Sequence, residues 1–414
     1  MNELSWTTNN KLWKVEPLKK IFSFEKGKNA ALYTKEYLYD NPGEYPVYSG
    51  QTENNGVMGL IDSFDYNLNE CLFTTTVGAK VMTVAHLKGK FSLSQNCLIM
   101  IPKNNDFNIR FYYYQLMCLF NYEKALIPSH MQPSLRMEDL KKYKILSPNI
   151  LMQDKIVAYL DNKINNIDSL IENQTNLIKL LNQQRQSIIT EAVTKGLNPN
   201  VKMKDSGVEW IGEIPEHWYV NKIKFKFDIR KVIQPTENPT VLSLTQHGLK
   251  IKDLKDFSGQ HAESYDKYQK VEIKDYVMNG MDLLTGYVDC SPFEGVTSPD
   301  YRVFRIKDDT ECHDYYLRYF QICYFAKIFY GHGQGVSNFG RWRLQTDVFK
   351  EFPLPVPSKE EQFEISEYLK NKEEEIGKSL DLLKVNIEKL KEYRQSLIYE
   401  AVTGKIDVRD MELD

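Results

Sequence analysis

The sequence predicts an α+β chain built twice over, two mixed α/β segments each followed by one long helix. Three observations carry that prediction. Arg185-Gln186-Ser187-Ile188-Ile189-Thr190-Glu191-Ala192-Val193-Thr194 returns as Arg394-Gln395-Ser396-Leu397-Ile398-Tyr399-Glu400-Ala401-Val402-Thr403, 209 residues later. The match runs upstream without a gap through Tyr159-Leu160 and Tyr368-Leu369, Gln153 and Gln362, and Pro148 and Pro357. A period this long is a whole module used twice, too long for a solenoid unit. The second observation is a heptad seam in each copy, and the third is a set of short strand-like runs ahead of each helix.

The seam is regular. Ile167, Ile171, Gln174, Ile178, Leu181, Arg185, Ile188 and Ala192 step by alternating fours and threes, as do Ile376, Leu380, Leu383, Ile387, Leu390, Arg394, Leu397 and Ala401. Apolar residues at that spacing mark a helix that pairs along its length with another helix. At about 1.5 Å per residue, about 45 residues make a rod of about 65 Å. Arg185 and Arg394 lie in the seam itself. There a charge sets register or forms an ion pair near the helix end, with contact to a partner subunit as the alternative.

The order of the chain sets the boundaries. Residues 1–147 form the first globular segment, 148–196 the first helix, 197–217 a connector, 218–352 the second segment, and 353–414 the second helix with a tail. In the first segment, Asn55-Gly56 is a turn between strands. Cys71–Val77, Lys80–Ala85 and Cys97–Ile101 are strand-like, and Phe111–Phe120 is a buried helix. In the second, Trp218-Tyr219-Val220 restarts the pattern of Trp13-Lys14-Val15, and a helix is predicted over Tyr315–Phe329. Gly196, Pro199, Gly207, Gly212 and Pro215 punctuate the connector, which Trp210 and Trp218 should pin to its neighbour. Ile145-Leu146-Ser147-Pro148 and Pro353-Leu354-Pro355-Val356-Pro357 are extended lead-ins stopping at a proline before each long helix.

Composition bounds the class. At 414 residues the chain exceeds one ordinary core, which predicts two domains with connecting helices. The start Met1-Asn2-Glu3-Leu4-Ser5 has no signal pattern, and no apolar run approaches membrane-spanning length, so a cytoplasmic protein is expected. Cys71, Cys97, Cys118, Cys290, Cys312 and Cys323 are scattered without a C-x-x-C pair, which predicts reduced, mostly buried thiols and no metal site. The net charge of −3 does not point to nucleic acid. The globular parts lean the other way, with 17 basic against 14 acidic residues over 1–150 and 19 against 17 over 217–350.

Polar loops are the candidate reading elements. Lys80 opens the second strand-like run, and His130, Gln132 and Arg136 belong to a loop after the first segment's helix. In the second segment they are Gln246 and His247, then Gln334, Ser337, Asn338, Arg341 and Arg343 in a loop after the corresponding helix. Side chains of these types reach base edges and phosphates; a purely structural loop is the competing reading. The G-x-G-x-G at Gly331-His332-Gly333-Gln334-Gly335 is no dinucleotide fingerprint, because it follows a helix and opens none.

Catalytic motifs are missing. There is no Walker A loop, H-E-x-x-H, nucleophile elbow or acid-acid-lysine nuclease cluster. Asn41-Pro42-Gly43-Glu44-Tyr45 is superficially similar to the N/D-P-P-Y/F of adenine methyltransferases, but Gly43 stands where the second proline belongs.

The two helix ends, the lead-in Pro357 to Glu361-Gln362, and the connector Gly207-Val208-Glu209-Trp210-Ile211-Gly212-Glu213-Ile214-Pro215-Glu216-His217-Trp218 together resemble the specificity subunit of type I restriction-modification enzymes. Two departures stand out: the connector motif is nearly absent before Trp13, and Met152-Gln153 replaces the usual Glu-Gln. The resemblance implies two target recognition domains separated by two long helices that pair as an antiparallel coiled coil in a pseudo-two-fold repeat. Each domain would read half of a bipartite double-stranded DNA target. The helices would fix the half-site spacing and dock two modification (methyltransferase) subunits, with restriction (motor-nuclease) subunits completing the complex. No catalytic residue, metal or cofactor is expected in this chain; S-adenosylmethionine, ATP and Mg2+ would be bound by the partner subunits. An enzyme with its own chemistry and a DNA-independent coiled-coil scaffold are the alternatives. The helix-pair or subunit interface is assigned to Ile167, Ile171, Ile178, Leu181, Arg185, Ile188, Ile376, Leu380, Leu383, Ile387, Leu390, Arg394 and Leu397.

Overall fold

A computed structural model describes residues 6–7, 13–50, 54–78, 80–128, 130–233, 239–253, 264–335 and 342–408. The chain divides into two units, residues 1–175 with 384–414, and residues 176–383. Both are α+β, and both take helix from each copy of the repeat.

In the first unit a six-stranded sheet runs in the order Phe22–Lys26, Cys97–Pro102, Tyr66–Thr75, Val84–Leu93, Pro42–Tyr48, Val57–Ile61. All neighbours are antiparallel except Pro42–Tyr48 against Val84–Leu93, where Val47 faces Ser92 in parallel register. Helix α1, Ile109–Ala125, buries Phe111, Tyr112, Leu116 and Phe120 in one core with Phe22 and Leu72. Each such side chain contributes about 1.5–3 kcal/mol by leaving water. The lead-in holds as a strand: Lys144–Ser147 pairs antiparallel with Lys14–Pro17.

The second unit repeats this plan with a smaller sheet, in the order Phe227–Arg230, Arg302–Ile306, Tyr276–Met278, Val288–Cys290. Pro353–Val356 pairs with Tyr219–Lys222 as the lead-in does in the first unit. The helix His313–Phe325, α3, packs Tyr315, Tyr316, Tyr319 and Phe320 into the core with Phe304 and Trp218.

The long helices are α2, Ile150–Lys195, and α4, Lys359–Thr403. Both begin on a capping side chain and end at a left-handed glycine, Gly196 (φ 74°) and Gly404 (φ 69°). At the start of α4, the Glu361 N–H donates to Ser358 Oγ at 3.2 Å and the Ser358 N–H donates to Glu361 Oε2 at 3.1 Å. This reciprocal box satisfies two backbone donors. Glu361 also accepts from Trp218 Nε1 at 3.1 Å and pairs with His217 at 2.8 Å. Burial works against its charge, but His217, Trp218 and Ser358 outweigh it and hold the carboxyl below its ordinary value. The first copy has Met152 here. Asn149 Oδ1 accepts from the Met152 N–H at 2.9 Å, and the Met152 side chain packs with Trp13 against the core instead.

Gln153 and Gln362 keep one job in both copies. Gln153 Oε1 accepts from the Asn108 N–H at 2.8 Å, just ahead of α1, and its Nε2 donates to Pro148 O at 2.8 Å. Gln362 Oε1 accepts from the Cys312 N–H at 3.0 Å, just ahead of α3, and its Nε2 donates to Pro357 O at 3.3 Å. A buried amide thus fastens each long helix to the start of its domain helix.

Helix pairing is antiparallel in each unit. In the first, Ile156, Ile164 and Ile167 of α2 share a core with Leu397, Ile398, Ala401 and Val402 of α4, and Arg394 Nε pairs with Asp168 Oδ1 at 2.9 Å. Of the two seam arginines, Arg394 is thus held in an ion pair. In the second, Ile189, Ala192 and Val193 of α2 share a core with Ile365 and Leu369 of α4. Ile167, Ile376, Leu380, Ile387 and Leu397 are buried; Ile171, Ile178, Leu181, Arg185, Ile188, Leu383, Leu390 and Arg394 are half-buried.

Two local readings are corrected. Lys80–Thr83 is a turn, and the strand starts at Val84: the hydroxyls of Thr75 and Thr83 both donate to Lys80 O, and Met82 is left-handed (φ 59°). The helix predicted to Phe329 ends at Phe325, because Lys327 is left-handed (φ 57°) and the chain resumes as a short turn of helix, Ile328–Gly331. The connector is pinned by both tryptophans. Trp218 is fully buried, and Trp210 stacks on Phe352 with ring centroids 6.2 Å apart. All six cysteines are free, and four of them, Cys71, Cys97, Cys312 and Cys323, are buried. Among the described residues, no helix is long and apolar enough to cross a membrane.

Candidate nucleic-acid interface

In the first unit, two loops distant in sequence meet. The Leu135 N–H donates to Thr76 O at 2.8 Å, and Val77 and Ser134 form a β-bridge. Buried Leu135 anchors the second loop, so His130, Gln132 and Arg136 stand exposed near the turn that carries exposed Lys80. Neighbouring Ser129 lies outside the described residues. Lys80 also borders a cavity of about 500 Å³ with Asn55, Thr75, His86, Arg110 and Tyr113. Asn55 reaches it from a turn in which Asn54 and Asn55 are both left-handed (φ 49° and 53°), a conformation that asparagine tolerates better than most residues. Arg110 is held by Asp161 at 2.6 Å. His86 lies 3.1 Å from Glu70; burial lowers its pKa, and the carboxylate only partly offsets that.

In the second unit, Gln246 and His247 form the exposed tip of the hairpin Leu242–Thr245 and Gly248–Ile251. Two features fix the tip. The Leu249 N–H donates to Asp289 Oδ2 at 2.7 Å, and Gln246 Nε2 donates to Thr285 O at 3.5 Å. Burial raises the Asp289 pKa, while the N–H groups of Leu249 and Cys290 pull it back. Gly248 is left-handed (φ 106°), and a Cβ there would sit 2.5 Å from Asp289 Oδ2. Gly248→Ala should therefore cost about 1–3 kcal/mol, read as a lower denaturant midpoint of the purified chain; an unchanged midpoint would show that the tip relaxes freely.

The remaining candidates stand beside this hairpin through the turn at 282–286. Leu283 packs so closely on Gly333 that a Cβ there would lie 2.6 Å from its Cδ1. Gln334 and Arg343 face each other in a two-residue antiparallel pair, both exposed, and Gln345 Nε2 donates to Gln334 Oε1 at 2.7 Å. Ser337, Asn338 and Arg341 lie outside the described residues. In each unit one loop of described candidates lies after the domain helix and before the lead-in strand, His130, Gln132 and Arg136 in the first and Gln334 and Arg343 in the second, while Lys80, Gln246 and His247 come from turns ahead of that helix. Two residues bearing on these sites escaped the reading by sequence, His86 and Arg302, because both lie inside strands. Among the described residues, no cluster of His, Cys, Asp or Glu is placed to hold a metal ion.

The fold defines an internally repeated α+β protein with paired long helices. Residues 10–180 and 238–389 match the type I restriction modification DNA specificity domain, and the chain belongs to that family. The relative S.MpnORF285P of Mycoplasma pneumoniae is 34% identical over 131 residues, 30% of this chain and 40% of the relative. The type I restriction enzyme MpnII specificity subunit of the same organism is 32% identical over 129 residues, 31% of this chain and 37% of the relative. These matches span less than half of either relative. The type I restriction enzyme MjaVIII specificity subunit of Methanocaldococcus jannaschii aligns nearly end to end, 23% identical over 96% of this chain and 94% of the relative. A solved chain from work on complex assembly and conformational transition of the type I R-M system shares the fold, with a TM-score of 0.67 at 11% identity over 97% of this chain and 100% of that one.

Proposed function

We propose that this chain is the non-catalytic DNA-specificity subunit of a type I restriction-modification complex. One observation carries the reading: a single α+β plan occurs twice, each time presenting exposed polar loops at the same point of the repeat, within a chain of the specificity family. Each unit reads one half of a bipartite double-stranded DNA target, and because the two loop sets differ in sequence, the halves differ too. The paired helices fix the interval between half-sites and dock two modification subunits, which supply adenine methylation with S-adenosylmethionine. Restriction subunits, with ATP and Mg2+, supply cleavage. Lys80, His130, Gln132 and Arg136 serve one half-site, and Gln246, His247, Gln334, Ser337, Asn338, Arg341 and Arg343 serve the other. Base-edge contacts of these types discriminate by about 1–3 kcal/mol each.

The test exchanges residues 12–147 for the corresponding segment of another family member and maps methylated adenines in cells that also make the modification subunit. One half of the target should change and the other stay. If both halves change, or neither does, the assignment of one half-site to each unit is wrong. In the same assay, a four-residue insertion after Gln174 shifts the seam by a stutter and should alter the interval; an unaltered interval removes the spacing role.

A further inference from the structure

One arginine of the second unit is placed unlike its neighbours. Arg230 lies 2.8 Å from Glu272 and 3.1 Å from Asp275, Arg305 lies 3.4 Å from the same two carboxylates, and Arg318 lies 2.6 Å from Glu373. Arg302 has no carboxylate within ion-pair distance among the described residues. Its Nη2 donates to Leu344 O at 2.8 Å, its Nη1 lies 3.6 Å from Met278 Sδ, and its guanidinium sits 4.6 Å from the Phe349 ring centroid. These contacts orient the group and leave its charge uncompensated. Burial pulls its pKa down to about 10, and the positive charge of Arg343 acts in the same direction.

The internal repeat shows that the fold does not require this. Phe22 faces Pro102 in the first sheet and Phe227 faces Ile306 in the second, so four residues back along the partner strand Leu98 corresponds to Arg302. Leu98 is fully buried in the core. Where one copy packs a leucine, the other holds a half-buried cation, and a charge drawn out of water is costly unless something of opposite sign joins it.

Arg302 opens onto a cavity of about 140 Å³ that also meets Lys231, Thr346 and Arg343. Arg230, already paired, lines it too, and exposed Asp300 is its single carboxylate. This space is roomy enough for one tetrahedral oxyanion. Arg343 belongs to the strand pair that closes the loop from Gln334.

We propose that Arg302 and Arg343 form a phosphate-binding subsite that holds one phosphodiester of the DNA backbone at the root of that loop, setting its register on the duplex. Arg302 is a positioning residue: an anchored phosphate fixes where the neighbouring side chains meet base edges and carries no sequence information itself. This rests on the DNA-specificity reading above.

The test measures DNA affinity of the complete complex with its modification subunits against monovalent salt concentration, for wild type, Arg302→Gln and Arg343→Gln. Loss of one phosphate contact should flatten the plot of log K against log salt by about 0.9 and weaken target and non-target DNA alike, about tenfold. Exposed Arg343 makes its variant independent of folding, and thermal melting checks Arg302→Gln. Wild-type slope and affinity in a folded Arg302→Gln and in Arg343→Gln would overturn the subsite while leaving the specificity reading intact. Failure of the wild-type complex to bind any duplex would overturn both. If inorganic phosphate raises the melting temperature of wild type but not of Arg302→Gln, with no change in salt slope, the site takes a free anion and the DNA assignment is wrong.

Discussion

Trp218→Ala should destabilise the second unit by about 3–5 kcal/mol. Trp218 is among the largest fully buried side chains and packs with Ile189, Val193 and Ile365 in one core. Its indole N–H donates to both oxygens of Glu361, the residue that closes the capping box of α4. Truncation removes the ring, leaves a cavity, and takes a donor from a partly buried carboxylate. Trp218→Phe retains most of the apolar volume while losing the N–H and part of the indole, so its cost should be smaller, about 1–3 kcal/mol. Equilibrium denaturation of the full chain measures both. A loss below about 1 kcal/mol for alanine would show that the connector does not hold the second unit together.

Glu311→Ala should be comparably damaging, about 3–5 kcal/mol. Glu311 is 5% exposed and sits 2.6 Å from Lys226 Nζ. The Tyr316 hydroxyl donates to it, and Gln362 Nε2 lies at 3.4 Å. Removing the carboxylate strands a mostly buried ammonium, a tyrosine hydroxyl and part of the amide that fastens α4 to α3. Burial disfavours the charge on Lys226, yet its bond to Glu311 more than compensates and the pKa is raised. Burial, reinforced by the bond to Glu311, raises that of Tyr316 strongly. Both shifts favour the protonated form in the folded state. Their contribution is therefore full through neutral pH and is lost as pH rises past about 10, the ordinary tyrosine value. Wild type should show this alkaline fall and Glu311→Ala a shallower one; parallel pH profiles would rule out the coupling.

The repeat, the seam and the lead-ins were legible because each is a local, periodic pattern in which residue spacing dictates which side chains share a face. The turn at Lys80–Thr83 was not. Val81, Thr83 and Val84 all favour strands, but hydroxyls five residues before and three after Lys80 capture its carbonyl and bend the chain. The meeting of the Lys80 and His130 loops was equally hidden, since the bridge between Val77 and Ser134 joins residues 57 apart. Arg302 sits in a strand beside Val303 and Phe304, and single-strand periodicity treats it as an outward charge. Aligning the two sheets by their phenylalanines would have set it against Leu98 and flagged it. That signal lay in the repeat, not in the strand.

The sharing of helices between repeats also dictates an order of events on the ribosome. The core of the first unit includes Leu397, Ile398, Ala401, Val402 and Val408, whereas its other buried residues have all been made by Ile167. At about 5–20 residues per second, the missing side chains arrive roughly 10–45 s later. Throughout that interval the nascent first unit carries an open apolar face, while the second unit is synthesised in one uninterrupted stretch from Asn176 to Leu383. Translation therefore completes the residues of the second unit before those of the first.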